Sequence, residues 1–147
     1  MARNDPLRNF RFRVEIDNLA RAGFAEVSLG AIDTEAVEYR EGTDPTHVRK
    51  LSGLTKYGNV TLKSGLTTGA DALELFRWHR DVVSGQLAQS RRRVVVVIQD
   101  EAGQDQARFV VSDAWPVKYE ASPLSARSNE VIIETLELAN EGIERVQ

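Results

Sequence analysis

Apolar and polar residues alternate over much of the chain, the two-residue period of half-buried strands. In FRFRVEID (Phe10–Asp17), Phe10, Phe12, Val14 and Ile16 fall on one side and Arg11, Arg13, Glu15 and Asp17 on the other. RAGFAEVSLG (Arg21–Gly30) sets Ala25, Val27 and Leu29 against Glu26 and Ser28. TEAVEYREG (Thr34–Gly42) sets Val37 and Tyr39 against Glu38 and Arg40, and NVTLKSGL (Asn59–Leu66) sets Val60 and Leu62 against Thr61 and Lys63. Each predicts a strand. Between the last two, Arg40 to Gly58 reads as a connection, long for a compact domain, with Leu51, Leu54 and Tyr57 set among charges.

The period then changes. TTGADALELFRWHRDVVSG puts Ala72, Leu75, Phe76, His79, Val82 and Val83 on one helical stripe. Thr68 followed by Asp71 fits a capping box, and Gly85 suits the position just past the last turn. RRRVVVVIQDEAGQDQARFVVSDAW predicts a hairpin. Its first arm, Val94 to Ile98, is apolar on both faces and needs cover on both. Its turn carries Gly103, and Trp115-Pro116 interrupts the second arm, as a proline does at a bulge or an edge. NEVIIETLEL (Asn129–Leu138) ends the predicted fold before ANEGIERVQ. One of its faces, with Ile132, Glu134, Leu136 and Leu138, is both apolar and acidic, a mixture suited to a subunit boundary. These six or seven strands and one helix predict a mainly β (α+β) fold, an antiparallel β-barrel or curled sandwich with one amphipathic helix. No repeat or low-complexity linker divides residues 1–147, which therefore read as one domain.

Composition narrows the function classes. The chain has 147 residues, 41% hydrophobic and 28% charged, as in ordinary globular proteins. It has no cysteine, which excludes disulfides and thiolate metal sites. The first residues, MARNDPLRNF, have no apolar leader segment, and no run reaches the roughly 20 apolar residues of a membrane span. Synthesis in the cytoplasm without a signal peptide or membrane insertion is expected. A net charge of −3 argues against a free-standing nucleic-acid binder. The basic residues are 15 arginines against four lysines, a choice that fits interfaces as well as a coding bias.

Candidate chemistry is sparse. His79 belongs to the helix stripe and His47 to the GTDPTHVRK loop, with no metal-ligand spacing around either. No serine has the setting of a hydrolase nucleophile. GLTTGADA has glycines before a helix but lacks the lysine and spacing of a phosphate loop. The expectation is a protein that is not an enzyme and has no catalytic residue, cofactor or metal. The one basic cluster, Arg91–Arg93, can grip phosphates or guard the apolar strand behind it against aggregation. It motivates an alternative, a monomeric small β-barrel that binds a ligand or single-stranded nucleic acid.

Five stretches are familiar in order: DPLRNFRFRVEID, AGFAEV, VEYREGTDPTHVRKLSGLTKYGNVTLKSGLT, LELFRWHRDVVSG and WPVKYEASPLSARSNEVIIETLELANEGIERV. Through them the chain resembles the tail tube (inner tube) proteins of contractile phage tails and of contractile injection systems. EYREG, KLSGLTKYGNVTLK and NEVIIETLELANEG are the most specific. Two loops depart from the family pattern: LGAID follows FAEVS where a GL pair is usual, and ASPLSA (Ala121–Ala126) replaces a GPDLNA-like turn.

The resemblance implies a structural protein whose six copies close into a ring, with rings stacked head to tail into a hollow tube for cargo. It implies as partners other copies of the chain, a contractile sheath, baseplate and tube-terminating proteins, and protein or DNA cargo in the lumen. It places the product in a phage tail-like particle or virion tail. Tyr39, Arg40, Glu41, Lys50, Leu51, Lys56 and Tyr57 become candidates for inter-ring and inter-subunit contacts. Arg11, Arg13, Glu15 and Glu134 become candidates for strands facing the lumen or a neighbouring subunit.

Overall fold

The computed structural model describes residues 11–17, 24–43, 45–66, 72–127 and 131–147. Phe10, the capping-box pair Thr68 and Asp71, and Asn129 lie outside these residues. Among the described residues, nine strands and two helices follow in chain order: β1 (Phe12–Ile16), β2 (Glu26–Ser28), β3 (Ile32–Tyr39), β4 (Arg49–Tyr57), β5 (Val60–Gly65), α1 (Glu74–Val83), α2 (Leu87–Ser90), β6 (Arg92–Gln99), β7 (Asp105–Ala121), β8 (Ile133–Ala139) and β9 (Gly142–Arg145). All pairings are antiparallel.

The 17-residue β7 organises the body by serving two sheets. Its first half lies between β6 and β9, and β6 continues to β1. Its second half pairs with β8, which continues through β5 to β2. The change of partner falls where the strand is irregular. Asp113 has φ 50°, and the register slips between Pro116 and Lys118. Proline donates no ladder bond and an extra residue bends a strand, so the Trp115-Pro116 interruption becomes the corner between the sheets.

The inner faces of the two sheets make the core. Val14, Ile16, Val94, Val96 and Val111 meet Val60, Leu62, Leu136 and Leu138. Full burial of each such side chain stabilises the fold by about 1.5–3 kcal/mol. Val95 and Val97, on the opposite face of β6, are buried too, so the doubly apolar strand is covered on both sides. The hairpin turn has Gly103 at φ 82°, and the Asp100 carboxylate accepts N–H bonds from Ala102 and Gln104 at 2.9 Å each.

Helix α1 plugs this sandwich, but with a rotated face. Leu75 and Trp78 are its buried residues, while Phe76 is exposed and Val83 is 74% exposed. The stripe through Ala72, Leu75, Phe76, His79, Val82 and Val83 leaves out Trp78, whose area outweighs two valines. Its indole N–H donates to the Ser90 carbonyl at 2.5 Å, and the Arg92 guanidinium lies 5.2 Å from the ring centroid. His79 is half-buried at the core edge. The N-terminal cap position is Leu73, without a side-chain capping bond, and Gly85 ends the helix at φ 85°.

Three further expectations are corrected. Residues 49–57 form β4, so Arg40 to Gly58 is not one long loop. The tail ANEGIERVQ contains β9 on the edge of β7, so the fold does not stop at Leu138. Glu134 is only 1% exposed, on the core side of β8 with Leu136 and Leu138. The Tyr119 hydroxyl donates to its carboxylate at 2.5 Å. That hydrogen bond allows a carboxyl group to sit on an apolar inner face, and it removes Glu134 from the lumen- or subunit-facing set.

Candidate assembly interface

β3 and β4 form a separate two-stranded sheet that packs on itself and scarcely on the body. Every residue of β3 is exposed, and every residue of β4 except Tyr57. An isolated two-stranded ribbon is marginal in water, so an arm of this kind needs a partner.

The arm continues the β2–β5 ribbon through a glycine joint. The Gly58 N–H donates to the Ala31 carbonyl at 2.8 Å, and the Asn140 side-chain amide donates to the Gly58 carbonyl at 2.9 Å. A Cβ on Gly30 would fall on the Gly58 carbonyl group, and one on Gly58 would lie 2.9 Å from the Ala31 nitrogen. No side chain fits at either crossing position. The arm's root is therefore held at a fixed place beside the end of β5.

Pairing sorts the arm into two faces. One carries the pairs Ile32–Tyr57, Thr34–Thr55, Ala36–Ser52 and Glu38–Lys50, with the Thr34 and Thr55 hydroxyls 3.0 Å apart. A register shift between Thr34 and Ala36 sets Gly53 and Leu54 against Glu35. The other face then holds Asp33–Lys56, Val37–Leu51 and Tyr39–Arg49, with Leu54 beside them. A Cβ on Gly53 would come within 3.0 Å of Val37 Cγ2, which fits that side of the arm. Leu54, at 71% exposure, with Val37, Tyr39 and Leu51 gives this face an apolar strip in water.

The seven contact candidates thus all lie on the arm, in different settings. Lys50, Leu51 and Lys56 stand exposed on β4. The Tyr39 hydroxyl donates to Glu41 at 2.9 Å, a bond that raises the pKa of the phenol. The Arg40 guanidinium donates to the Pro45 carbonyl at 3.2 Å. Tyr57 packs against the core at the arm's root. Sequence reasoning passed over Val37 as a contact residue and Gly30 and Gly58 as the joint, whereas Leu54 already stood out with Leu51 and Tyr57 among the charges of this segment. The glycines could have been found only by knowing that their two strands cross.

On the body, Arg13 and Glu15 lie on the outward side of β1, and Arg11 stands exposed just before it. Arg13 bonds Glu15 at 2.9 Å and reaches across β6 to Asp105 at 3.2 Å. Bonds from Gln99 and then Arg13 hold the Asp105 carboxyl below its ordinary range. The Arg91–Arg93 cluster is engaged within the chain. Arg91 pairs with Glu141 at 3.0 Å, Arg93 with Asp17 at 3.7 Å, and Arg92 stacks on Trp78. These contacts tie the three arginines to acidic and aromatic side chains of the same chain. The outward face of the β5–β8 sheet is polar: Glu26 faces Lys63 at 3.7 Å and Asn59 donates to Glu137 at 2.9 Å.

Comparison with known proteins agrees with an assembly element. The family model described as T4-like virus tail tube protein gp19 matches residues 8–144. Among solved structures, the chain is 26% identical to a protein of the PVC sheath/tube terminator in its extended state, with 99% of this chain and 100% of that one covered at TM-score 0.83. It is 26% identical to a protein of the sheath-tube complex of the extracellular contractile injection system PVC, also extended, with 96% and 91% covered at TM-score 0.80. A protein in the tube-terminating cap of the anti-feeding prophage is 25% identical, with 100% and 95% covered at TM-score 0.82. No curated protein matches the chain at a significant level.

Proposed function

Because the chain belongs to the family of T4-like virus tail tube proteins, we propose that its copies close into six-membered rings, which stack into the hollow inner tube of a contractile injection system or phage-like tail. The observation that carries this reading is the arm, a β ribbon with neither face covered by its own chain. A contact between unlike surfaces that does not close on itself along an axis generates a filament, and one that closes around an axis generates a ring. The arm serves the first contact, with Tyr39, Arg40, Glu41, Lys50, Leu51 and Lys56 presented to the next ring and Tyr57 fixing its root.

Ring closure serves the second contact. The two body sheets end on β1, β9, β2 and the distal half of β7. Joining such edges between subunits removes open strands that otherwise invite uncontrolled pairing. Arg11, Arg13 and Glu15 then face the lumen or an adjoining subunit. Function is mechanical in this reading. A sheath contracts around a stiff tube that starts at a baseplate, ends at a terminator and conducts protein or DNA cargo.

Negative-stain electron microscopy of the purified chain over a concentration range, with and without a baseplate fraction as nucleus, tests the proposal. Six-fold rings and hollow stacked tubes are expected. A uniform monomer under both conditions would overturn it.

A further inference from the structure

We propose that the arm of one copy seats in a groove at the far end of the same sheet in the next copy along the tube. This rests on the reading of the chain as a stacking tube subunit and adds the receptor that the arm requires. The groove has a volume of about 620 Å³ and runs between the β7–β8 loop, residues 122–126, and Val131, Ile132 and Ile133. Leu124 is 78% exposed on one wall and Val131 69% exposed on the other.

The groove is suited to an apolar occupant because its polar groups already hold the loop together. The Ser122 Oγ accepts from the Ile133 N–H at 2.9 Å, and the Ser122 N–H donates to the Ile133 carbonyl at 2.8 Å. The Ser125 Oγ accepts from the Arg127 N–H at 3.3 Å, and the Ile132 carbonyl accepts from Leu66 at 2.8 Å. Leucine and valine side chains are left to face solvent. In this chain the matching slender apolar element is the arm, with Val37, Leu51 and Leu54 on one face.

Position makes the match directional. On β5, Val60 pairs with Leu138 next to the arm's root, and Gly65 pairs with Ile133 next to the groove. Knob and hole therefore sit at opposite ends of one sheet, about 20 Å apart for the six residues of β5. The eight residues of β3 give an arm about 26 Å long, enough to pass from one copy into the adjoining end of the next. A knob at one end and a hole at the other repeat by the same displacement in every layer, which is the condition for open stacking.

The absence of native cysteine gives a clean test. In assembled tubes of the double variant Leu54→Cys/Leu124→Cys, mild oxidation should produce a ladder of covalent multimers on a non-reducing gel. The yield should be at least tenfold above either single variant and above the pair Leu54→Cys/Thr61→Cys. Tubes of normal appearance without that excess would overturn the groove assignment and leave the stacking reading intact. Wild-type protein that forms no tube even with a baseplate fraction would overturn both. Leu124→Asp serves if the cysteine variants fail to assemble. It should keep the wild-type melting profile and form rings that no longer stack, and full-length tubes from it would equally overturn the assignment.

Discussion

Gly30→Ala probes the joint on which the arm's direction depends. The added methyl would meet the backbone carbonyl of Gly58, which cannot rotate aside as a side chain can. The two strands must part, loosening the Gly58–Ala31 and Asn140–Gly58 hydrogen bonds of 2.8 and 2.9 Å. At about 1 kcal/mol each, the joint should open more easily by about 2 kcal/mol, roughly a 30-fold change in its equilibrium. Because the arm packs mainly on itself, opening is local. Were it fully coupled to the body, melting would fall by about 4–8 °C at this chain length, and the observed fall should be smaller. Hydrogen–deuterium exchange at the Gly58 amide reads the local term directly, and tube length by microscopy reads its consequence. Gly42→Ala is the matched control, since a Cβ there meets nothing within 4 Å. Exchange at Gly58 within about threefold of wild type, together with normal tubes from Gly30→Ala, would refute the fixed joint.

Trp78→Ala, removing the buried plug and its bond to Ser90, should cost about 3–5 kcal/mol in equilibrium denaturation. Tyr119→Phe deprives the buried Glu134 of a hydroxyl donor and should cost about 1–3 kcal/mol by the same measurement. Asp100 and Asp105 are held below the ordinary carboxyl range, Asp100 chiefly by the Gln104 N–H and Asp105 chiefly by Gln99. A depressed folded-state pKa gives stability that is present above the unfolded value of about 3.9 and disappears as pH falls through the folded value. Melting temperature should therefore drop more steeply below about pH 4 in wild type than in Asp100→Asn. Lys50→Glu and Lys56→Glu set like charges opposite Glu38 and Asp33. Both should shorten tubes in microscopy without changing the body's melting, and unchanged tube length would count against the arm as a contact.

The body's strands were legible because each has an inside. β1, β5 and β6 alternate, or run fully apolar, as their one or two covered faces demand, and Pro116 marks the bend where β7 changes sheets. Misreadings arose where side-chain identity and position conflict. Phe76 and Val83 suggested the helix's buried stripe, but the indole of Trp78 fills the gap between the sheets and rotates the helix to suit. Glu134 read as a boundary residue because a carboxylate on an inner face is stable only with a partner such as Tyr119, fifteen residues earlier in the chain. β9 was missed because four residues on a sheet edge carry only one buried side chain, Ile143.

The second strand of the arm, β4, was illegible for a different reason, and that reason bears on its role. Strand periodicity records the difference between a covered face and a wet one within a single chain. β4 has no such difference: Leu51 and Leu54 fall on one side only because a bulge resets the alternation between them, and Lys50, Ser52 and Lys56 fill the intervening positions. A ribbon selected only to stay in water would carry charge on both faces and blunt its edges. This one keeps Val37, Leu51 and Leu54 in solvent and is aimed by two glycines that admit no side chain. An exposed apolar strip on a well-directed support makes physical sense when its cover is supplied by another molecule. The exposed leucine and valine across the groove at the sheet's other end raise the same requirement from the opposite side, and one contact between successive copies satisfies both.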